Sequence, residues 1–236
     1  MPKLVFDIET VGEDFNKLDE TTQGFLTRWI KKESESEDDY KRELEELKDG
    51  LGFSSLTGEI VVIGVLDPDK NQGVVYFQAP NKTINDFEDN GIKFKQMTEK
   101  EMLESFWKGI MQYNEFISFN GRGFDVPFLM TRSAIHKIRP TKDLLSNRYL
   151  NSQKFDAKHV DLADQLSFYG AKRKREGLHL YTRAFGIKSP KADGVTGDDV
   201  GRLFKEEKYE EIARYNKNDL IATKELYTYW DKYLRF

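Results

Sequence analysis

The stretch Leu4-Val5-Phe6-Asp7-Ile8-Glu9-Thr10 constrains this chain more than any other. An apolar, strand-favouring run leads straight into two carboxylates separated by one isoleucine, and so reads as a central, buried strand. Side chains alternate across a strand, so Asp7 and Glu9 project from one face, roughly 6–7 Å apart. Two acids leaving a buried strand together are costly unless a cation neutralises them. A hard divalent metal, which takes oxygen ligands, is the usual solution. The alternative is a strand end turning into a polar loop, with both acids in water. Deciding between them requires further acids that make sense only around the same ion.

Composition narrows the chemistry. The chain has no cysteine, which excludes disulfides and thiolate metal sites, so a metal site must use oxygens or the three histidines. Its 236 residues suffice for a substantial core, as one large domain or two small ones. No apolar run approaches the roughly 18 residues of a membrane span, and the N-terminus lacks a secretory pattern. The expected location is cytoplasmic. A net charge of −4 argues against a passive DNA-coating protein, but less against an enzyme whose metals meet the phosphates directly.

Beyond Thr10, residues 13–52 are polar and helix-prone and read as a helical insertion. Phe25, Leu26, Trp29 and Ile30 at helical spacing predict one amphipathic helix from Thr21 or Thr22 to Lys32. An acidic run from Glu33 to Asp39 leads into a second, highly charged helix over 40–48. The insertion is a solvated elaboration or an arm that covers a cleft or docks a protein partner; its negative charge would repel phosphates. Glu59–Leu66 and Val74–Gln78, joined by a turn, form a hairpin that makes an antiparallel trio with the first strand. Lys100–Tyr113 is an amphipathic helix, with Met102, Leu103, Phe106, Trp107, Ile110 and Met111 toward the core. Phe116–Phe119 is a further strand, which gives an α/β arrangement.

That strand runs into Asn120-Gly121-Arg122-Gly123-Phe124-Asp125-Val126-Pro127. The glycines allow a tight strand-to-helix turn and Pro127 belongs in a first helical turn, so Asp125 sits near a helix N-terminus. Residues 137–157 are irregular, and Val160–Leu166 is a short strand or a strand–helix junction. Lys172-Arg173-Lys174-Arg175 is the only dense basic cluster, either a solvated loop or a contact for a phosphate backbone. A helix over Leu178–Phe185 ends at Gly186, and a loop over 191–199 offers Thr196 or Asp198 as the next cap. The last helix, Tyr209–Trp230, turns Ile212, Tyr215, Asp219, Ala222, Leu226 and Tyr229 inward. An aspartate in that stripe needs a partner.

Asp7, Glu9, Asp125 and Asp219, with Tyr215 one turn before the last acid, resemble the DEDD superfamily of 3′→5′ exonucleases in its tyrosine-bearing branch. The motifs are Phe6-Asp7-Ile8-Glu9-Thr10, Asn120 to Leu129, and Tyr215-Asn216-Lys217-Asn218-Asp219. The chain is most similar to the predicted stand-alone exonucleases related to the family B polymerase proofreading domain. Residues 194–200 and 209–220 carry that likeness into the tail. Two departures stand out: Asn216 where a cysteine or serine is expected, and Leu220 where a β-branched residue is. Arg214 occupies the place of the histidine that marks a sister branch.

The resemblance implies a single RNase H-like exonuclease domain over 1–236, with about five mixed strands flanked by helices and the 13–52 insertion after strand 1. It implies two Mg²⁺ or Mn²⁺ ions and release of nucleoside 5′-monophosphates. Asp7, Glu9 and Asp219 are expected to hold one ion on the side of the attacking water. Asp7 and Asp125, the latter mostly through water, would hold the other beside the leaving oxygen. Tyr215 would orient the water. Thr10, Asn120 and Phe124 are candidate contacts to the terminal nucleotides, and Lys172 and Arg173 to the backbone. The expected substrate is a single-stranded or frayed 3′ end, DNA ahead of RNA. An RNA exonuclease and a catalytically silent nucleic-acid-binding domain are the alternatives.

Overall fold

The computed structural model describes residues 1–174, 176–189 and 194–235. Among these residues seven strands form one sheet: β1 (Lys3–Gly12), β2 (Gly58–Asp67), β3 (Gln72–Phe77), β4 (Phe87–Asp89), β5 (Ile92–Gln96), β6 (Glu115–Ser118) and β7 (Lys158–Asp161). Their order is β4-β5-β3-β2-β1-β6-β7. β1, β2 and β3 make the expected antiparallel trio, whereas β6 runs parallel to β1 and β7 parallel to β6.

The expectation of about five strands is low by two. The additions are β4 and β5, joined by Asn90-Gly91, both with left-handed backbone (φ 53° and 81°). Such a two-residue turn matches the twist of a hairpin. β5 alternates Ile92 and Phe94 inward with Lys93 and Lys95, a period-two signal too short to stand out from a polar region.

Alternation along β1 divides the core. Leu4, Phe6 and Ile8 pack with α4 (Glu99–Gly109) and α5 (Asp125–Ile135) on one face. Val5 and Val11 pack with α9 (Tyr209–Tyr233) on the other. Asp7 and Glu9, in phase with Val5, therefore face α9. α4 opens on a Thr98–Glu101 capping box. It tightens to a 3₁₀ turn at Ile110, which leaves Met111 exposed rather than in the core.

Helices do occupy the region between β1 and β2, in a different arrangement from the one expected. The single helix over 21–32 is two, α1 (Glu20–Leu26) and α2 (Arg28–Glu33). They break at Thr27, whose hydroxyl and N–H both donate to the Gln23 carbonyl. Ile30 is buried, while Phe25 and Trp29 are exposed. α3 (Glu37–Gly50) begins inside the acidic run: Ser36 caps it, and Glu37, Asp38 and Asp39 fill its first turn. Acids are favourable beside the unsatisfied N–H groups of a helix start. The chain returns against β1 through paired glycines. A Cβ on Gly12 would lie 2.7 Å from the Leu51 Cβ, and one on Gly52 would lie 2.9 Å from the Gly12 nitrogen.

The junction at 160–166 resolves into the end of β7 followed by α6 (Leu162–Leu166); α7 (Leu178–Ala184) and α8 (Val200–Lys205) lead to α9. Ile212, Tyr215, Asp219, Ala222 and Leu226 are buried along α9 as the spacing requires. Tyr229 is exposed instead, its ring edge-on to Phe185 at 5.4 Å. No helix among the described residues is long and apolar enough to cross a membrane.

Candidate active site

The centre of the site is set by how closely α9 approaches the first two strands. Gly64 of β2 stands directly across from Asp7. A Cβ there would fall 1.9 Å from the Asn216 Oδ1 and 2.7 Å from the Leu220 Cδ1, so the glycine makes the notch in which the Asn216 amide sits. Docking brings Asp219 over β1. One carboxylate oxygen from each of Asp7, Glu9 and Asp219 then lies within 4.8 Å of the others. Just beyond, the β1–β2 register shifts between Glu9 and Thr10. Such irregularities are frequent beside active sites, where they end regular pairing.

These acids are electrostatically costly. The Asp7 carboxyl is held well above the usual aspartate range by burial first, then by Asp125, Glu9 and Asp219. Glu9 is likewise pushed up by burial and by Asp219, with the Asn216 hydrogen bond opposing the shift. Among the described residues, no lysine or arginine pairs with Asp7 or Glu9. Asn216, fully buried on α9, donates from Nδ2 to the Asp7 Oδ2 at 2.8 Å and to the Glu9 Oε1 at 3.5 Å. Tyr215 is also buried, and burial followed by the Asp219 charge raises its phenol far above its ordinary value.

Asp125 is placed by the second motif but stands outside the three-acid cluster. It is the first residue of α5, and its Oδ1 accepts from the Ile8 N–H at 3.0 Å, tying that helix to β1 between the two strand acids. Burial raises its carboxyl to about 7, although the Ile8 N–H pulls the other way. The preceding turn needs Asn120 in the left-handed region (φ 64°) and leaves no room for a side chain at Gly121, where a Cβ would meet the Ser118 Oγ at 2.3 Å. Asp161, at the end of β7, clamps this turn by accepting from the Asn120 and Arg122 backbone N–H groups, both at 2.9 Å.

The remaining candidates are more dispersed. Thr10 directs its hydroxyl to the Gly52 carbonyl at 2.7 Å and so fastens the insertion beside Glu9. Phe124, half-buried, meets the exposed Phe53 of the insertion edge-on at 6.5 Å. Lys172 and Arg173 are exposed, the Lys172 ammonium lying 5.1 Å from the Tyr181 ring centre. Arg175, Pro190 and residues 191–193 of the expected 191–199 loop lie outside the described residues. Thr196 caps the short turn before α8.

Sequence reasoning noted Asn216 only as a departure and did not single out Asp161, Gly64 or Phe53. Asp161 had a usable signal, an aspartate closing a strand just before a helix. Gly64, a lone glycine inside a β-branched run, signals close backbone approach. Phe53 had none. A cavity of about 510 Å³ lined in part by Val65, Tyr76, Lys93, Phe106 and Tyr113 opens on the α4 side of the sheet and holds none of the expected site residues.

The chain superposes on the family B DNA polymerase from the hyperthermophilic archaeon Pyrobaculum calidifontis with a TM-score of 0.59 at 15% identity. The match covers 97% of this chain and 24% of the polymerase, so the chain spans about a quarter of that protein's length. The shared fold meets the expectation of an RNase H-like α/β domain, apart from the strand count. No curated protein matches the sequence. Residues 73–235 match the family described as "Predicted 3'-5' exonuclease related to the exonuclease domain of PolB". That match takes in Asp125, Tyr215 and Asp219, and the chain belongs to this family of 3′-5′ exonucleases.

Proposed function

We propose that the chain cuts the terminal phosphodiester bond at the 3′ end of single-stranded or frayed DNA and releases nucleoside 5′-monophosphates. In this reading two Mg²⁺ or Mn²⁺ ions are held by Asp7, Glu9, Asp125 and Asp219. The observation that carries it is the convergence of Asp7, Glu9 and Asp219 oxygens within 4.8 Å, on a strand and a helix with no sequence proximity. The donor set fits a hard divalent cation: it is all oxygen, and the burial and like charge that push Asp7 and Glu9 up are relieved by positive charge between them. When bound, such ions neutralise phosphoryl charge and supply a nucleophile at neutral pH.

The chain's own groups then divide the work. Tyr215 is a phenol, ordinarily weakly acidic at about 10, and its burial pushes it further up, so it suits a hydrogen-bond donor that orients water better than a base. Asp125 has one oxygen engaged by the Ile8 N–H, which leaves the other for its expected water-mediated role. Thr10, Asn120 and Phe124 flank the end of β1 and the turn after β6, where the terminal nucleotides would lie. The Phe124 ring offers a face for base stacking, and Lys172 and Arg173 offer charge to the backbone further along the strand. We read residues 1–236 as one exonuclease domain carrying the insertion, and place its expected protein partner on α1 and α2, where Phe25 and Trp29 are exposed.

The test is shortening of a 5′-labelled single strand with Mg²⁺ or Mn²⁺. A ladder receding from the 3′ end is expected, faster on DNA than on RNA of the same sequence. Intact strands with both metals would sink the exonuclease reading; preference for RNA would reassign the substrate.

A further inference from the structure

Asn216 is the least expected residue of the site and among the most tightly fitted. It is fully buried on α9, yet its amide nitrogen reaches the Asp7 Oδ2 at 2.8 Å and the Glu9 Oε1 at 3.5 Å. Each carboxylate keeps a second oxygen for an ion. The space it fills is made by Gly64, which faces Asp7 across the β1–β2 pairing and whose absent side chain would have overlapped the Asn216 Oδ1. That oxygen is buried with no hydrogen-bond partner among the described residues. An unsatisfied buried carbonyl is destabilising, a cost that packing alone would avoid with a leucine or a serine. The amide's return is on its nitrogen side, where a neutral donor meets two anions without adding a competing charge.

We propose that Asn216 is a positioning residue of the metal centre: seated in the notch at Gly64, its amide fixes the Asp7 and Glu9 carboxylates in the orientation that receives a divalent cation. The inference rests on the metal-site reading above and adds to it a residue outside the four acids and the tyrosine. Partners that orient metal ligands typically cost 10–100-fold in metal affinity when removed. Gly64 and Asn216 then act as one unit, since an alanine at 64 displaces the amide as surely as a substitution at 216.

The test is direct Mn²⁺ binding to the full chain by calorimetry, with no substrate present. Asn216→Ala should raise the Mn²⁺ dissociation constant about 10–100-fold. Gly64→Ala should do the same while every carboxylate remains, and the double variant should be no worse than Asn216→Ala alone. At saturating metal, KM for a single strand should stay at the wild-type value, a split that general loosening of the helix would not produce. If Asn216→Ala does not fold, Asn216→Ser takes its place. Wild-type Mn²⁺ affinity in the folded variant overturns the positioning role, as does full additivity in the double variant. Failure of the wild-type chain to bind Mn²⁺ overturns the metal site and this role together. A chain that binds Mn²⁺, loses it on Asn216→Ala and cleaves no strand supports the role of Asn216 while sinking the exonuclease reading.

Discussion

Two glutamates, Glu9 and Glu99, are nearly equally buried on opposite sides of the sheet, and their surroundings drive them in opposite directions. Glu99 accepts two hydrogen bonds from Arg132 at 2.8 and 2.7 Å, another from the Ile60 N–H, and touches the His136 Nε2 at 2.6 Å. Against the cost of burial, these donors hold its carboxyl below the usual glutamate range. Glu9 has the side-chain amide of Asn216 and two neighbouring acids, and is pushed up. Glu115, also buried, follows Glu99: Arg235 and the Tyr227 hydroxyl satisfy it. The protein thus provides its own cations where an acid is structural. At the end of β1 it assembles acids together, and the neutralising charge must come from outside.

The most severe way to probe this contrast is to remove one member of the cluster. Asp7→Ala is expected to lower the single-strand cleavage rate on the order of 10³-fold or more, the equivalent of the several kcal/mol a metal centre supplies. Its unfolding temperature in chelator should be at or above wild type, because a repelled buried charge is gone. Retained activity would remove Asp7 from the site. Glu99→Ala should do the reverse. Leaving Arg132 unpaired is expected to cost about 3–5 kcal/mol in a urea melt, with the folded fraction still cleaving at the wild-type rate. A stability change below about 1 kcal/mol would break the contrast from its other side.

Metal and pH sharpen it further. Mn²⁺ at 100 times its dissociation constant should add about 2.7 kcal/mol to stability, read as a rise in unfolding temperature; no rise would contradict a pre-formed site. In chelator, Asp125 at about 7 is protonated in the folded chain over a range where the unfolded chain, near 3.9, is not. Folding there takes up protons, so its contribution falls as pH rises from about 4 to about 7. Glu99 has the opposite sign: its contribution is present above about 4.3 and is lost as pH drops through its lowered value. Asp125→Asn should therefore flatten the decline toward pH 7. The smallest effect is expected at Tyr215→Phe, a fall of about tenfold in turnover with Mn²⁺ affinity unchanged. An unaltered rate would assign that hydroxyl to packing.

Much of this arrangement is written locally. Phe6-Asp7-Ile8-Glu9 places its acids on one face because strand side chains alternate, and Asp219 turns inward because α9 repeats every three to four residues. The antiparallel trio and the strand–turn–helix at Asn120–Pro127 follow from β-branched runs and turn residues of the same kind. Met111 and Tyr229 show where periodicity misleads: each continues an apolar stripe, but α4 tightens before Met111, and on α9 the inward face drifts to Tyr227 and Trp230. The split of the 21–32 helix falls at Thr27, whose hydroxyl shares the Gln23 carbonyl with its own N–H, a local detail that hydrophobic spacing does not register.

By itself, then, the sequence determined which residues are acids on which faces, because alternation and helical period act over a few residues. Only the tertiary structure decided which of those acids meet. Asp219 joins Asp7 and Glu9 because α9 packs across β1 and β2, where the Asn216 side chain sits against Gly64, more than 150 residues away in the chain. Asp125 lies outside that trio, with one of its oxygens taken by the Ile8 N–H. Contact across that separation depends on how closely two packed surfaces approach, and a missing side chain on one surface sets that distance as much as any residue present on the other.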